Sequence, residues 1–265
     1  MGIRAGRVAE RKVVGDADLS EVRLERDGTV ALVTLAAPER RNAFLPAMVE
    51  ELIAACEEID ADPGIGAVVI KAEGEGFCAG AHRDSLKQAG QDPARDDNYR
   101  ALGRTYRAFA RVGELLPPSV AAIRGAAVGA GVNLALATDL RVMAHDARII
   151  TGFAKIGIHP GGGHFALLGR LVGREAAAAL GLFGTEIDGR RAAEIGLAWE
   201  SLPAEQVEPR ALELAKQAGA DPELARHTAR SLRLELGPPA LPWPAALEVE
   251  RAIQMWSLRR REAGS

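Results

Sequence analysis

The sequence predicts an α/β fold that is followed by a helical C-terminal region. Short β-rich runs alternate with amphipathic helical segments through the first 200 residues. An Asp27-Gly28 pair separates two β-rich runs, which is typical of a hairpin turn. After residue 200 the pattern is mostly helical. Strands with crossover helices therefore come first, and a helical region comes last.

The elements follow from periodicity and from breaker residues. Strands are predicted near residues 22–24 and at 30–35, 67–70, 119–123, 140–143 and 149–150. Helices are predicted at 45–60, 99–115, 132–138, 189–195, 206–219, 222–235 and 245–261, and another opens at residues 160–163 and runs to 181. The polar segment 84–98 is expected to be a mobile loop. We divide the chain into a flexible leader (1–18), a core (19–200) and a C-terminal helical region (201–265).

Composition excludes several classes of protein. The chain has 265 residues, 48% of them hydrophobic, and a formal net charge of -3, so neither nucleic acid nor an anionic membrane is expected as the main partner. It contains no run of 18 apolar residues, and its basic N-terminus is not followed by an apolar stretch. Two cysteines do not form a disulfide framework. We expect a cytoplasmic protein without a membrane span.

Two loops rich in glycine and alanine carry the chemical signal. They lie at residues 74–82 (GEGFCAGAH) and 123–135 (IRGAAVGAGVNLA), each after a strand. Small side chains let a ligand approach the backbone, whose N–H groups, together with the start of a following helix, favour negative charge. One such loop alone also fits plain tight packing. Two of them can supply two donors to one developing oxyanion.

Five collinear segments make the signal specific. They read PERRNA (38–43), FCAGA (77–81), GAAVGAGVNLALATDL (125–140), AKIGIHPGGG (154–163) and EIDGRRAAEIGL (186–197). Together they resemble the signatures of the crotonase (enoyl-CoA hydratase/isomerase) superfamily over roughly residues 20–200. His82 stands where that family usually has an aspartate.

The resemblance implies a crotonase-like spiral of ββα units that assembles as a homotrimer or homohexamer. It implies an acyl-CoA thioester as the substrate, with coenzyme A as part of it, and no tightly bound cofactor or metal. The oxyanion donors would be the backbone N–H groups of Ala81 and Ala130. The coenzyme A channel would be lined by Arg41, Ala43, Ala79, Gly80, Arg83 and Gly131. Arg40, Arg41 and Arg83 are candidates for contacts with its phosphates, and the alternative for each is a solvated surface arginine.

The sequence departs from the family at the residues that matter for hydration. Family hydratases add water with two glutamates, since one carboxylate can activate the water while the other relays a proton. Those positions fall on Asn133 and Phe153, and neither side chain can take a proton. Asn133 could still bind a water or a carbonyl group, whereas Phe153 can only fill space. Hydration itself is therefore in doubt.

Five titratable residues lie near these motifs, and His82 has two interpretations. His82 follows Ala81 and could transfer a proton, or it is a loop histidine at the channel mouth. His159 could point into the pocket, and His164 could cap a helix. Asp84 is read as surface and Asp139 as structural.

Three functions compete. The first is an enzyme of the lyase/isomerase type that stabilises a thioester enolate. The second is a non-catalytic acyl-CoA-binding protein, which needs only the channel and the two loops. The third is a serine peptidase of the Clp type, which shares the spiral fold, but neither loop contains a serine.

Overall fold

A hairpin begins the described part of the chain, which comprises residues 20–92 and 95–237 of this computed structural model. Strands β1 (Val22–Asp27) and β2 (Val30–Leu35) pair antiparallel. Gly28 between them has a φ of 62°, which suits the tight turn that Asp27-Gly28 predicted. The hairpin prediction is confirmed.

The later elements alternate between strands and helices. In chain order they are α1 (Pro46–Ala61), β3 (Ala67–Ala72), β4 (Gly76–Cys78), α2 (Arg83–Gln91), α3 (Asp96–Gly113), β5 (Ser119–Ile123), β6 (Ala126–Val128), α4 (Ala130–Ala137), β7 (Leu140–Ala144), β8 (Arg148–Ile150), α5 (His164–Gly181), β9 (Ile187–Asp188), α6 (Gly189–Glu194), β10 (Glu200–Leu202), α7 (Ala204–Ala218) and α8 (Pro222–Leu236).

These strands form two sheets. The larger sheet has the order β1-β2-β3-β5-β7-β10, and the smaller one has the order β4-β6-β8-β9. Neighbours pair in parallel except β1 with β2 and β8 with β9. Each pair of successive strands from β3 onward contributes one strand to each sheet. This repetition is the predicted spiral of ββα units.

The core lies around the larger sheet. Strand β5 is buried along its whole length, and five of the six residues of β3 are buried, as expected for strands covered on both faces. Helix α7 packs on β3, β5 and β7, whereas α1 packs on the hairpin and on α3. The loops that follow the short strands of the smaller sheet are thereby attached to a rigid body.

The structure corrects two predictions about the helices. The segment 84–98 is not a loop over its length, because α2 and the start of α3 occupy most of it. No residue of α2 is buried, so the helix has no apolar stripe that periodicity could have revealed. The helix expected from residue 132 starts earlier, at Ala130.

The other predicted helices and strands within the described residues lie within a few residues of their expected bounds. The short strands β4, β6, β9 and β10 were not predicted, and β4 and β6 lie within segments that were expected to be loops. The leader (1–18) and the helix at 245–261 lie outside the described residues, and the domain boundaries remain predictions. In the ranges that the structure describes, no helix combines the length and apolar character that crossing a bilayer requires.

Candidate active site

The two glycine loops lie side by side. Strand β4 pairs in parallel with β6, with Gly76 opposite Ala126 and Cys78 opposite Ala127. A Cβ atom on Gly80 would overlap the carbonyl oxygen of Val128, and one on Gly131 would overlap that of Cys78. Only glycine permits backbones to approach this closely. The two loops are therefore in contact, as a shared oxyanion site would require.

The first predicted donor, the N–H of Ala81, follows β4. Phe44 bridges this segment: its N–H donates to the Gly80 carbonyl at 2.7 Å, and its carbonyl accepts from the His82 N–H at 3.2 Å. In a parallel bridge of this kind the intervening residue directs its own N–H away from the partner strand. The Ala81 N–H thus points away from Phe44.

The second predicted donor, the N–H of Ala130, opens helix α4. The first N–H groups of a helix have no acceptor within it. The N–H groups of Val132 and Asn133 instead donate to the Gly129 carbonyl. The Ala130 nitrogen would lie 3.1 Å from a Cβ atom on Gly80, next to Ala81. The structure thus brings both predicted donors together at the start of a helix, where the dipole favours an anion.

Asn42 positions the first loop, and sequence reasoning missed it. Its side chain is fully buried and accepts a hydrogen bond from the Ala37 N–H at 2.9 Å. It donates to the carbonyls of Glu73 and Gly76 at 2.9 and 3.1 Å, which lie just before and within β4. The φ of Asn42 is 55°, a region that Asn tolerates better than most residues. The asparagine in the PERRNA segment was the available signal.

The residues predicted to line the coenzyme A channel surround this first loop. Ala43, Gly80 and Gly131 are buried, and Ala79 is half-buried with its N–H bonded to the Arg41 carbonyl at 2.9 Å. Each contributes backbone or a small side chain. The lining role of these four residues remains a prediction.

The three candidate arginines differ. Arg40 is half-buried and pairs with Glu21 and Glu39, so its charge is already compensated. Arg41 and Arg83 are exposed, and neither side chain forms an ion pair with another residue in the described ranges. Arg41 and Arg83 therefore remain available for an anionic ligand.

The predicted histidines of the loops make local contacts. The His82 Nδ1 accepts a hydrogen bond from the Asp84 N–H at 3.3 Å and so caps α2. The exposed His159 contacts the neighbouring Pro160 carbonyl through Nδ1 at 2.6 Å. Asp84 is exposed, whereas Asp139 binds Ser119 and Arg233, as a structural residue would.

The two positions of the family glutamates meet at a third residue, His164. Asn133 is buried, and its Nδ2 donates to the Gly161 carbonyl at 3.0 Å while its Oδ1 lies 2.7 Å from the His164 Nδ1. The Phe153 ring packs edge-on against the imidazole, with ring centroids 4.9 Å apart. The same ring lies beside Gly129 in the second loop. His164 is thus part of this cluster. The prediction that it caps a helix is wrong, because Gly163 is the N-cap of α5 and no side chain caps it.

The hydrogen bonds determine the tautomer of His164. Because the Asn133 amide nitrogen donates to Gly161, its oxygen faces the imidazole and can only accept. The His164 Nδ1 therefore carries the hydrogen, and Nε2 is left with a lone pair. Burial lowers the pKa of His164 from 6.5 to about 4, so the ring is neutral at neutral pH. Sequence gave no sign of this contact, since 31 residues separate the partners.

Two glycine loops in contact, on a spiral of ββα units, indicate a crotonase-type protein. Among solved structures, an enoyl-CoA hydratase from Polaromonas sp. JS666 superposes with a TM-score of 0.83 at 27% identity, covering 92% of this chain and 93% of that one. A putative enoyl-CoA hydratase from Streptomyces coelicolor A3(2) superposes with a TM-score of 0.81 at 29% identity, covering 94% and 90%.

Sequence comparisons agree with the fold. The family model for enoyl-CoA hydratase/isomerase matches residues 25–251. A protein of Mycobacterium tuberculosis described as a probable enoyl-CoA hydratase is 39% identical over 226 residues, which cover 85% of this chain and 86% of that protein. The 1,2-epoxyphenylacetyl-CoA isomerase of Escherichia coli is 31% identical over 198 residues, or 73% and 74% of the two chains. The chain belongs to the enoyl-CoA hydratase/isomerase family.

The buried imidazole predicts a pH dependence of stability. The pKa of His164 is lower in the folded state than in the unfolded chain, so between about pH 6.5 and pH 4 the unfolded state binds more protons. The free energy of unfolding therefore falls as pH decreases through this window. The substitution His164→Asn removes this contribution and retains a donor for Asn133. Between about pH 7 and about pH 5, the wild type should lose about 2 kcal/mol more than the variant.

Urea unfolding of both proteins at the two pH values measures this difference. The other titrating groups are common to both chains and cancel. Equal losses of stability would contradict the burial of a neutral imidazole.

Proposed function

We propose that this protein binds an acyl-CoA thioester and stabilises its enolate between the N–H groups of Ala81 and Ala130, which we call the oxyanion hole. We propose further that it is an enzyme of the lyase/isomerase type whose reaction does not depend on two glutamates. The observation that carries the proposal is the close approach of the two glycine loops, which brings the Ala130 nitrogen at the start of α4 next to Gly80 and so near Ala81. Family membership supplies the substrate class.

Backbone groups do the chemistry in this proposal. A thioester oxygen that gains negative charge would accept hydrogen bonds from both N–H groups, and such donors are typically worth about 10²–10³ in rate each. The positive end of helix α4 adds to the stabilisation. The exposed guanidinium groups of Arg41 and Arg83 would contact the phosphates of coenzyme A.

The residues at the two glutamate positions, Asn133 and Phe153, disfavour hydration by the usual route. Adding water across a double bond uses two groups that exchange protons. The Asn133 amide is engaged on both sides, by Gly161 and by His164, and Phe153 has no proton to give. Relatives of this chain include a protein that is named for a reaction other than hydration, the 1,2-epoxyphenylacetyl-CoA isomerase.

The alternative is a non-catalytic acyl-CoA-binding protein. One observation favours it: neither glutamate position carries a carboxylate, and the imidazole beside them is closed off from solvent. A binder needs only the oxyanion hole and the channel.

Hydration of crotonyl-CoA tests the departure from the family. Loss of the enoyl-thioester absorbance should be far slower than about 10 s⁻¹, the median turnover of enzymes. Calorimetric titration of the same sample with butyryl-CoA should nevertheless show binding. Rapid hydration would sink the proposed departure, and absence of binding would sink the acyl-CoA proposal as a whole.

The substitution Ala130→Pro tests the oxyanion hole without relying on turnover. Proline is tolerated at the first position of a helix, where it removes the N–H and places its ring carbon Cδ in the direction in which the N–H pointed. Cinnamoyl-CoA absorbs at longer wavelength when its carbonyl is polarised, so the wild type should shift its absorbance to the red. The variant should lose most of that shift while its thermal unfolding stays close to the wild type. An unchanged shift would remove Ala130 from the site.

The predicted homotrimer or homohexamer stays part of the proposal. Leu182, Phe183 and Trp199 expose large apolar side chains, with Phe183 at 83%. Such residues suit an interface between copies. Light scattering should give three or six times the mass of one chain, and a monomer at micromolar concentration would contradict this assembly.

A further inference from the structure

The imidazole of His164 holds a hydrogen-bond acceptor that no described residue satisfies. Its Nε2 atom is shielded from solvent, and the residue is 2% exposed. The hydrogen bond between Nδ1 and Asn133 fixes Nε2 as the nitrogen with the lone pair. Buried polar atoms almost always have partners, so an unpartnered one requires an explanation.

The surroundings of His164 are aromatic and uncharged. Phe153 packs at 4.9 Å and Phe165 at 6.1 Å between ring centroids. Burial is the only cause that shifts its pKa, so no charged group in the described ranges compensates a proton on the ring. Such an environment favours a neutral donor, such as a hydroxyl group, over a charged donor, such as an ammonium group.

The position of His164 relates it to the oxyanion hole. Its partner Asn133 lies three residues after Ala130 on α4, on the same side of the helix. Its other neighbour, Phe153, contacts Gly129, the residue before Ala130. The cluster therefore lies beside the proposed oxyanion hole, within reach of an acyl chain bound there.

We propose that the His164 Nε2 accepts a hydrogen bond from a hydroxyl group on the acyl chain, which makes hydroxyacyl-CoA thioesters the preferred ligands. This inference rests on the acyl-CoA function proposed above. His164 is then the residue that determines acyl specificity, and Asn133 is the positioning residue that fixes its tautomer. The low pKa of the ring fits an acceptor better than a general base, whose pKa should lie near the working pH.

Phe153 is held less firmly than Asn133 in this cluster. Phe153 is half-buried and precedes a segment, 154–159, in which every residue is exposed. Asn133, in contrast, is fixed in a buried helix by two hydrogen bonds. Of the two neighbours Asn133 and Phe153, Phe153 is therefore the one that a bound acyl chain would displace.

Calorimetry with a matched set of ligands tests the inference. The probes are butyryl-CoA and its 2-, 3- and 4-hydroxy derivatives. One neutral hydrogen bond typically corresponds to about 3- to 10-fold in Kd, so at least one hydroxy derivative should bind wild type more tightly than butyryl-CoA by that factor.

Two variants separate the roles of the two ring nitrogens. The substitution His164→Asn places an amide where Nδ1 was, which retains the contact with Asn133 and removes the Nε2 acceptor. It should abolish the preference for the hydroxy derivative, measured in the variant itself as the ratio of the Kd of that derivative to the Kd of butyryl-CoA. The substitution His164→Gln places an amide oxygen near the former Nε2 and should retain part of the preference.

The outcomes distinguish this inference from the proposed function. If butyryl-CoA binds and no hydroxy derivative binds more tightly than butyryl-CoA, the role of His164 is overturned while the acyl-CoA function stands. If no thioester binds, the proposed function itself fails. A preference that persists in His164→Asn also overturns the inference, and the signal from His164→Gln guards against a loss caused by misfolding.

Discussion

The close contact between two stretches of backbone is the constraint on which the site depends. Strands β4 and β6 pair in parallel, and the loops after them continue in contact because Gly80 and Gly131 have no side chains to separate them. Gly125 meets the Glu75 carbonyl in the same way. The N–H groups of Ala81 and Ala130 belong to different repeats of the spiral. They lie together only because these backbones touch.

The two sheets have different roles in the fold. Buried strands such as β3 and β5 give the larger sheet its stability through apolar packing. The strands of the smaller sheet have two or three residues each, and they place loops where a ligand can reach the backbone. Asn42 holds the first loop in place, because its amide binds carbonyls at the start of that loop. A site on such a rigid support can be precise without many side chains of its own.

The proposed oxyanion hole consists of backbone groups, which leaves the neighbouring side chains free to change. At the acyl side of this protein the change involves three residues that contact one another, Asn133, Phe153 and His164. An amide, an aromatic ring and a neutral imidazole form a connected unit that offers one lone pair and no carboxylate. The same scaffold can thus retain its thioester chemistry while the acyl selectivity differs.

The sequence by itself determined the features that depend on local chemistry. Asp27-Gly28 specified the hairpin, and the small residues of the two loops specified a backbone site, since turn geometry and close approach are properties of the residues themselves. Helix α2 escaped prediction because none of its residues is buried. Only the tertiary structure could decide that His164 meets Asn133, because that contact depends on where α5 and α4 lie in space, not on any pattern along the chain.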